Sequence, residues 1–480
     1  MLKKFLSCSI GGWLAMVIGF ITVPVTTRLF NPDDFGRLAM FSLFVSVIST
    51  IVGMGMLNAY VRFFYEEVAE NRKRLLFKCV KYPICLITLT SIGIALFSQF
   101  ISNYIVNEID YHVVICLILA VLFECIGTFA DWTVRMQERG KIFSLLTFLR
   151  RFLNFILIIG FYKLAIINYS ALIYAFTIAS GVVTSLGIFF ERNIWSFDFI
   201  FQHKRLNDAK HTSSEIVRYA VPFLFSNIIS WIFSSCDRVA INHWSGLEEL
   251  GIYSAAFSIT AILTVLQNSI TTFIGPIIMK KYEGKDNVDD FLIKISDIVT
   301  VLMFGFAILL LLFKDIVIFI LGEKYREAVY LMPLLVFAPV MYTISETTFY
   351  GIIFKKKSKA HLYVSIVASL VSVIGNVILV PEYGARGAVI ATAIAWIMFF
   401  IMRTWFSAKY YQIKYSFVKI GWLTLCLFMY SMYLTFYNDT YISTIIGIAT
   451  LVCLFILYRN LITGYYIFIM EKIRWKISNL

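Results

Sequence analysis

The sequence predicts an all-α, polytopic membrane protein with about fourteen transmembrane helices. Hydrophobic residues make up 60% of the 480 residues and charged residues only 15%, whereas soluble domains are roughly 45–50% apolar and 25% charged. The mean hydropathy is +0.82. Long uncharged runs recur along the chain, and most are long enough to cross a hydrocarbon core of about 30 Å at ~1.5 Å per residue. A large soluble core does not explain this composition.

The first two runs define the repeating element. Residues 5–27 and 38–61 contain no charged residue, and the polar segment between them contains Pro32 and Gly36, which favour a turn. Together they predict a membrane-spanning hairpin. Lys3 and Lys4 precede the first run as in a signal peptide, but the run is too long and lacks a small-residue cleavage pattern. We therefore expect it to be the first span.

Further apolar runs complete the set. The predicted spans are residues 5–27, 38–61, 82–101, 112–133, 144–162, 166–190, 219–237, 250–276, 296–313, 328–354, 360–380, 387–402, 420–437 and 440–458. The fifth contains Arg150 and Arg151, and the ninth is short and followed by Lys314.

The distribution of basic residues predicts the orientation. With the N-terminus in the cytoplasm and alternating sides, 34 of the 42 Lys and Arg residues fall on the cytoplasmic side and 8 on the other. Cytoplasmic loops of membrane proteins carry such an excess. Both termini are therefore expected in the cytoplasm. The formal charge of +13 is spread over these loops, which argues against a nucleic-acid-binding patch.

Weak internal similarity predicts two repeated bundles. The segment Asn154–Ile158 resembles Asn376–Val380, and both lie at equivalent places in the span order. Parallel repeats of this kind are suited to alternating access around a central cavity. The predicted parts are a first six-helix bundle (1–195), a cytoplasmic linker (196–215), a second six-helix bundle (216–410), and two additional C-terminal helices with a cytoplasmic tail (411–480).

Two neighbouring spans carry polar residues on a single face. Span 4 holds Glu124, Asp131 and Arg135, which fall within about 40° of one another around a helix. Span 5 presents another such set, consisting of Ser144, Thr147, Arg151 and Asn154. Because the two spans are consecutive, we expect these faces to meet and line one wall of a cavity.

A charged side chain inside a membrane span costs free energy, so such residues are candidates for a function. Glu124, Asp131 and Glu346 are the candidates for binding a proton or coupling ion, because desolvation favours the protonated carboxyl. A structural alternative stays open for the same region. Asp131 and Arg135 would form an i,i+4 pair near the interface, and Arg150 and Arg151 would extend to the lipid headgroups.

Three segments beside predicted turns carry a family resemblance: Arg28–Gly36, Asp237–Arg238 with Gly251–Ala256, and Pro381–Ala388. They resemble the polysaccharide-biosynthesis branch of the multidrug/oligosaccharidyl-lipid/polysaccharide exporter superfamily, and within it the Wzx-type O-antigen flippases. The resemblance implies transport of an undecaprenyl-pyrophosphate-linked oligosaccharide from the inner to the outer leaflet of the bacterial cytoplasmic membrane. It implies no cofactor. As a partner, it implies the machinery that polymerises surface polysaccharide, including lipopolysaccharide.

The related lipid II flippases suggest where a phosphate binds. They carry basic residues at the exit of the first span and the end of the second, and Arg28 and Arg62 match these positions. Their cavity arginine early in span 8 has no counterpart here, because Tyr253–Ala256 occupies that place. The candidates for binding pyrophosphate and sugar are Arg28, Arg62, Arg150, Arg151 and Asn154. Asp237 and Arg238, at the outer end of span 7, are candidates for a gate.

Two other functions compete with the flippase. A cation-coupled multidrug or metabolite antiporter of the same superfamily would share the fold and have a smaller, more apolar cavity. A polysaccharide polymerase or membrane glycosyltransferase would be expected to carry long outer loops, whereas the longest outer connection here has about 14 residues. The sequence contains no nucleophile–base motif, metal-ligand cluster or phosphate-binding glycine loop. We therefore expect a transporter and no enzyme.

Overall fold

A computed structural model describes residues 2–196, 210–284, 288–355, 357–437, 439–461 and 463, and these contain helices and no strand. The first of two compact units covers Met1–Ser254. Its helices are α1 (Leu2–Leu29), α2 (Pro32–Val52), α3 (Met56–Phe63), α4 (Arg72–Leu96), α5 (Ser98–Val106), α6 (Tyr111–Met136), α7 (Gly140–Lys163), α8 (Tyr169–Phe190), α9 (Arg192–Trp195) and α10 (Ser213–Trp244).

The second compact unit covers Ala255–Leu480. Helix α11 (Leu247–Glu283) begins in the first unit and continues into the second unit. The remaining helices are α12 (Val288–Leu312), α13 (Lys314–Phe319), α14 (Ala328–Leu335), α15 (Phe337–Thr348), α16 (Tyr350–Phe354), α17 (Ser358–Tyr410), α18 (Phe417–Phe436) and α19 (Thr440–Leu457).

By length and composition, thirteen helical stretches among the described residues are able to cross a membrane. One of them has 52 residues, about twice the length that a single crossing requires. It consists of two helices joined at Gly384, whose φ of 57° and ψ of −138° are not helical. A Cβ at Gly387 would lie 2.2 Å from the carbonyl oxygen of Leu379, so the turn needs glycine there. With this hairpin counted as two spans, the polytopic fold has the fourteen that the sequence predicts.

The prediction of one continuous span over residues 38–61 is wrong. Helix α2 ends at Val52 and α3 begins at Met56, and the backbone between them turns through left-handed conformations at Met54 (φ 47°) and Gly55 (φ 67°). Hydropathy does not detect this break because the break residues are as apolar as their neighbours. The predicted span 328–354 is likewise divided, into α14, α15 and α16.

Local capping fixes where α2 begins. Asn31 and Asp34 form a capping box around Pro32, which suits the first helical position. Asp34 also accepts a hydrogen bond of 2.9 Å from the backbone N–H of Tyr169. The first turn of α2 is thereby joined to the first turn of α8. On the side of α2, Gly36 packs so closely that a Cβ would lie 1.9 Å from the carbonyl oxygen of Leu247.

Most of the predicted linker 196–215 and of the predicted tail lies outside the described residues, at 197–209 and 464–480. The division into two repeated six-helix bundles stays a prediction. Within the first unit, α6 packs against α2, α7 and α8, while α10 packs against α2 and α3. These six helices enclose the site described next.

Candidate functional site

The first unit contains a cavity of about 790 Å³ between α2, α3, α6, α7, α8 and α10. This volume lies within the range of small-molecule sites. Its polar lining residues are Ser42, Ser46, Ser49, Thr50, Asn58, Glu124, Thr128, Asp131, Arg150, Arg151, Asn154, Ser180, Asn227 and Ser230. The apolar lining includes Phe129 and Phe176. The cavity lining therefore combines four charged side chains with hydroxyl and amide groups.

Arg150 is the centre of the charged part of the cavity. Its Nη2 donates to Asp131 Oδ2 at 2.9 Å, and its Nη1 lies 3.8 Å from Glu124 Oε2. The three side chains are 26%, 30% and 41% exposed, respectively. They are therefore accessible from the cavity and are not sealed within a packed core.

The geometry of the α6–α7 hairpin brings these charges together. Only three residues separate the two helices, so they run antiparallel side by side. Gly127 leaves room on α6 for Thr184 of α8, since a Cβ there would lie 2.5 Å from Thr184 Oγ1. Arg135 points elsewhere, and its guanidinium lies 4.5 Å from the centre of the Trp132 ring. The predicted Asp131–Arg135 pair does not form, because Asp131 pairs with Arg150.

Arg151 and Asn154 also line the cavity. Among the described residues no carboxylate lies within ion-pair distance of Arg151, so its positive charge is not neutralised by a direct partner. The Asn154 Oδ1 atom is buried and lacks a hydrogen-bond partner in the described part of the chain, as does Ser49 Oγ on α2. Buried polar atoms normally have partners. Both residues line the cavity, Ser49 on α2 and Asn154 on α7.

Helix α2 contributes a row of hydroxyl groups to the opposite wall. Ser42, Ser46, Ser49 and Thr50 are spaced to share one helical face. The row ends at the break between α2 and α3, where Gly53 and Gly55 line the cavity with backbone alone. A Cβ at Gly55 would lie 2.4 Å from the carbonyl oxygen of Ala220, so glycine allows α10 to approach. Irregular backbone at membrane depth is tolerated where it lines a cavity of this kind.

The other two arginines predicted to bind phosphate lie elsewhere. Arg28, near the end of α1, is exposed and does not line the described cavity. Arg62 ends α3, is also exposed, and forms an ion pair with Glu66 one turn later. The structure therefore brings Arg150, Arg151, Asn154, Glu124 and Asp131 together and leaves Arg28 and Arg62 apart.

The predicted gate residues belong to a packed contact within the first unit. Asp237 is buried in α10 and accepts hydrogen bonds from the hydroxyl of Tyr253 and, at 2.8 Å, from the backbone N–H of Arg238. Tyr253 is fully buried in α11. The carboxylate thus joins α10 to the start of α11, and a gating role for Asp237 and Arg238 stays a prediction.

A family model described as "polysaccharide biosynthesis protein" matches residues 1–281. The chain belongs to this family. Every residue that lines the cavity falls within the matched segment.

Two curated relatives agree with this membership. The chain is 20% identical to a protein described as a probable low-salt glycan biosynthesis flippase, Agl15 of Haloferax volcanii, over 91% of this chain and 89% of the relative. It is 21% identical to the capsular polysaccharide biosynthesis protein CapF of Staphylococcus aureus, over 82% of this chain and 96% of the relative.

Solved structures share the fold at low sequence identity. A lipid II flippase MurJ in an inward closed conformation superimposes with a TM-score of 0.69 at 17% identity, covering 95% of this chain and 99% of its own. An inward-facing multidrug resistance MATE transporter of the MOP superfamily gives a TM-score of 0.60 at 17% identity, covering 84% and 94%. The chain therefore has a MurJ- and MATE-like multi-pass membrane fold.

The second unit contains another buried ion pair. Glu346 of α15 lies 2.7 Å from the guanidinium of Arg403 in α17, whose side chain is only 2% exposed. Arg403 also donates to Ser345 Oγ at 2.7 Å and stacks over the ring of Phe349 at 3.8 Å. Sequence reasoning assigned Glu346 to the membrane but missed Arg403, because it ended the twelfth span at residue 402. The helix continues to Tyr410.

Proposed function

We propose that this protein is a flippase that moves an undecaprenyl-pyrophosphate-linked oligosaccharide from the inner to the outer leaflet of the bacterial cytoplasmic membrane. The cargo is an O-antigen or similar surface-polysaccharide repeat unit, and transport is by alternating access with both termini in the cytoplasm. The observation that carries this proposal is the charged and hydroxyl-rich cavity of the first unit. Relatives named for glycan flipping and capsular polysaccharide biosynthesis support it.

The cavity residues fall into two groups that suit the two parts of such a headgroup. Arg150 and Arg151 are adjacent cations that bind the two phosphates, since arginine forms strong charge-assisted hydrogen bonds with phosphate. The hydroxyls of α2, together with Asn154, hydrogen-bond the sugar. The polyprenyl chain has no charge to bury and stays in the lipid. Arg28 and Arg62 act in this proposal at the membrane surfaces, before and after the cargo occupies the cavity.

The same proposal gives the embedded carboxylates a role in coupling. Glu124 and Asp131 share the cavity with the arginines, and Glu346 pairs with Arg403 in the second unit. Asp237 and Arg238 act as a gate near the turn between α10 and α11. We propose transport without a chemical reaction, in keeping with a relative that is named a probable flippase.

Gene deletion tests the proposed function. Loss of the flippase should remove surface polysaccharide and leave lipid-linked repeat units on the cytoplasmic leaflet. Wild type should restore export, whereas Arg150→Ala and Arg151→Ala should not. Arg326→Ala is the matched control, because Arg326 is an exposed arginine of the second unit. Unchanged surface polysaccharide, with altered drug susceptibility, would reject the flippase and favour the antiporter.

A further inference from the structure

The cavity is balanced in formal charge before any cargo enters. Its charged lining consists of two acids and two bases: Glu124, Asp131, Arg150 and Arg151. Arg150 is held by both acids, at 2.9 Å from Asp131 and 3.8 Å from Glu124. An anion that binds Arg150 must therefore compete with carboxylates that already occupy it.

A pyrophosphate diester carries two fixed negative charges. Added to the balanced cavity, it would leave two negative charges in excess, and it would place phosphate oxygens beside Asp131. Repulsion of this kind is strong away from bulk water. A carboxylate that loses its counter-ion in such a place binds a proton more readily, because the neutral form is favoured by both desolvation and the nearby negative charge.

We propose that the anionic headgroup displaces Asp131 from Arg150 and that the released carboxylate takes up one proton, so that cargo and proton bind this cavity together. This inference rests on the proposed function. One ion pair breaks, between Arg150 and Asp131, and another forms, between Arg150 and a phosphate oxygen. The proton comes from the solution, where the acid form of the buffer gives it up, and it forms the O–H bond of the Asp131 carboxyl.

The surroundings of Asp131 assign this role to it. The charged groups that face it are Arg150 on α7 and, on its own helix, Glu124 and Arg135. Arg135 is engaged with the Trp132 ring. The cavity-lining residues of α2, α8 and α10 are uncharged. Glu124, the more distant and more exposed acid, remains near Arg150 when Asp131 is released.

Calorimetry on the full chain in lipid nanodiscs tests the inference. The probe is a synthetic polyprenyl-pyrophosphate-linked monosaccharide, whose two phosphates keep their charges between pH 6 and 8. Titrations in buffers of different ionisation enthalpy report the protons exchanged. The expected result is uptake of about one proton per bound lipid. Kd should rise about tenfold per pH unit while Asp131 is ionised in the free protein and protonated in the complex.

Variants separate this inference from the proposed function. Asp131→Asn should bind without proton uptake and with a Kd that does not change with pH. Glu191→Gln is the matched control, because Glu191 pairs with Arg139 at 3.3 Å outside the cavity, and it should retain the wild-type linkage. Binding by the wild type with no proton exchange, or with proton release, would overturn this inference and leave the flippase standing. Absence of binding would overturn both. If Asp131→Asn does not fold, the wild-type proton count decides.

Discussion

The embedded pair of Glu346 and Arg403 gives a stability prediction that depends directly on its burial. Arg403 is almost fully buried, and its guanidinium contacts Glu346 at 2.7 Å. Glu346→Gln removes the negative charge and leaves the arginine uncompensated. Removing one partner of a buried pair typically costs about 3–5 kcal/mol. The free energy of unfolding, measured by titration with a denaturing detergent, should fall by this amount.

A control in the same unit separates burial from charge. Arg326 and Glu323 lie 2.9 Å apart but are 59% and 85% exposed. Glu323→Gln should therefore change the free energy of unfolding by less than about 1 kcal/mol. The double variant Glu346→Leu with Arg403→Met should regain most of the loss, because it removes both buried charges together. Equal effects of Glu346→Gln and Glu323→Gln would refute the reasoning.

Three further predictions concern the first unit. Gly55→Ala should lower the free energy of unfolding by about 1–3 kcal/mol, because it adds a steric clash to an unfavourable positive φ. The control is Gly246→Ala, at a position with a positive φ but open space around it. It should lower the free energy of unfolding by less, and an equal loss would contradict the close packing at Gly55. Arg151→Gln should weaken binding of the pyrophosphate-linked probe by about tenfold or more in calorimetry, whereas an equal effect of Arg28→Gln would contradict the cavity assignment. Burial raises the pKa of the Glu191 carboxyl, although the neighbouring Arg139 opposes this. Its contribution to stability is therefore lost as the pH rises through the folded-state pKa. Glu191→Gln should reduce this loss as the pH rises above about 4.5, the ordinary pKa of the carboxyl, in denaturant titrations. A steeper loss would contradict the assignment.

Sequence reasoning located the fold because hydropathy and loop charge report on the membrane directly. The contact between α6 and α7 could be predicted from the sequence for a related reason. Glu124 and Asp131 share a helical face, Arg151 and Asn154 share another, and a short connection forces the two helices to be neighbours. The ion-pair partner of Asp131 could not be predicted, since spacing alone does not distinguish Arg135 from Arg150. Only the packing of α7 decides between them.

Other features depend on backbone geometry or distant contacts that a linear pattern does not contain. The break at Gly53–Gly55 lies inside an apolar run and has no hydropathy signal. Arg403 lies seven residues before the end of α17, beyond the predicted span, and its pairing with Glu346 joins positions 57 residues apart. In the same way, Arg28 and Arg62 occupy positions that resemble those of lipid II flippases, yet neither contacts the cavity.

The break between α2 and α3 also bears on how such a site diversifies. Two glycines present backbone to the cavity here. The Gly53 N–H donates to the Ser49 carbonyl, and the carbonyls of Gly53 and Gly55 accept from the N–H groups of Met56 and Asn58. Mutation of a side chain leaves peptide polarity in place. The serines and asparagines around the wall can therefore change one at a time, while this part of the cavity surface keeps its peptide groups.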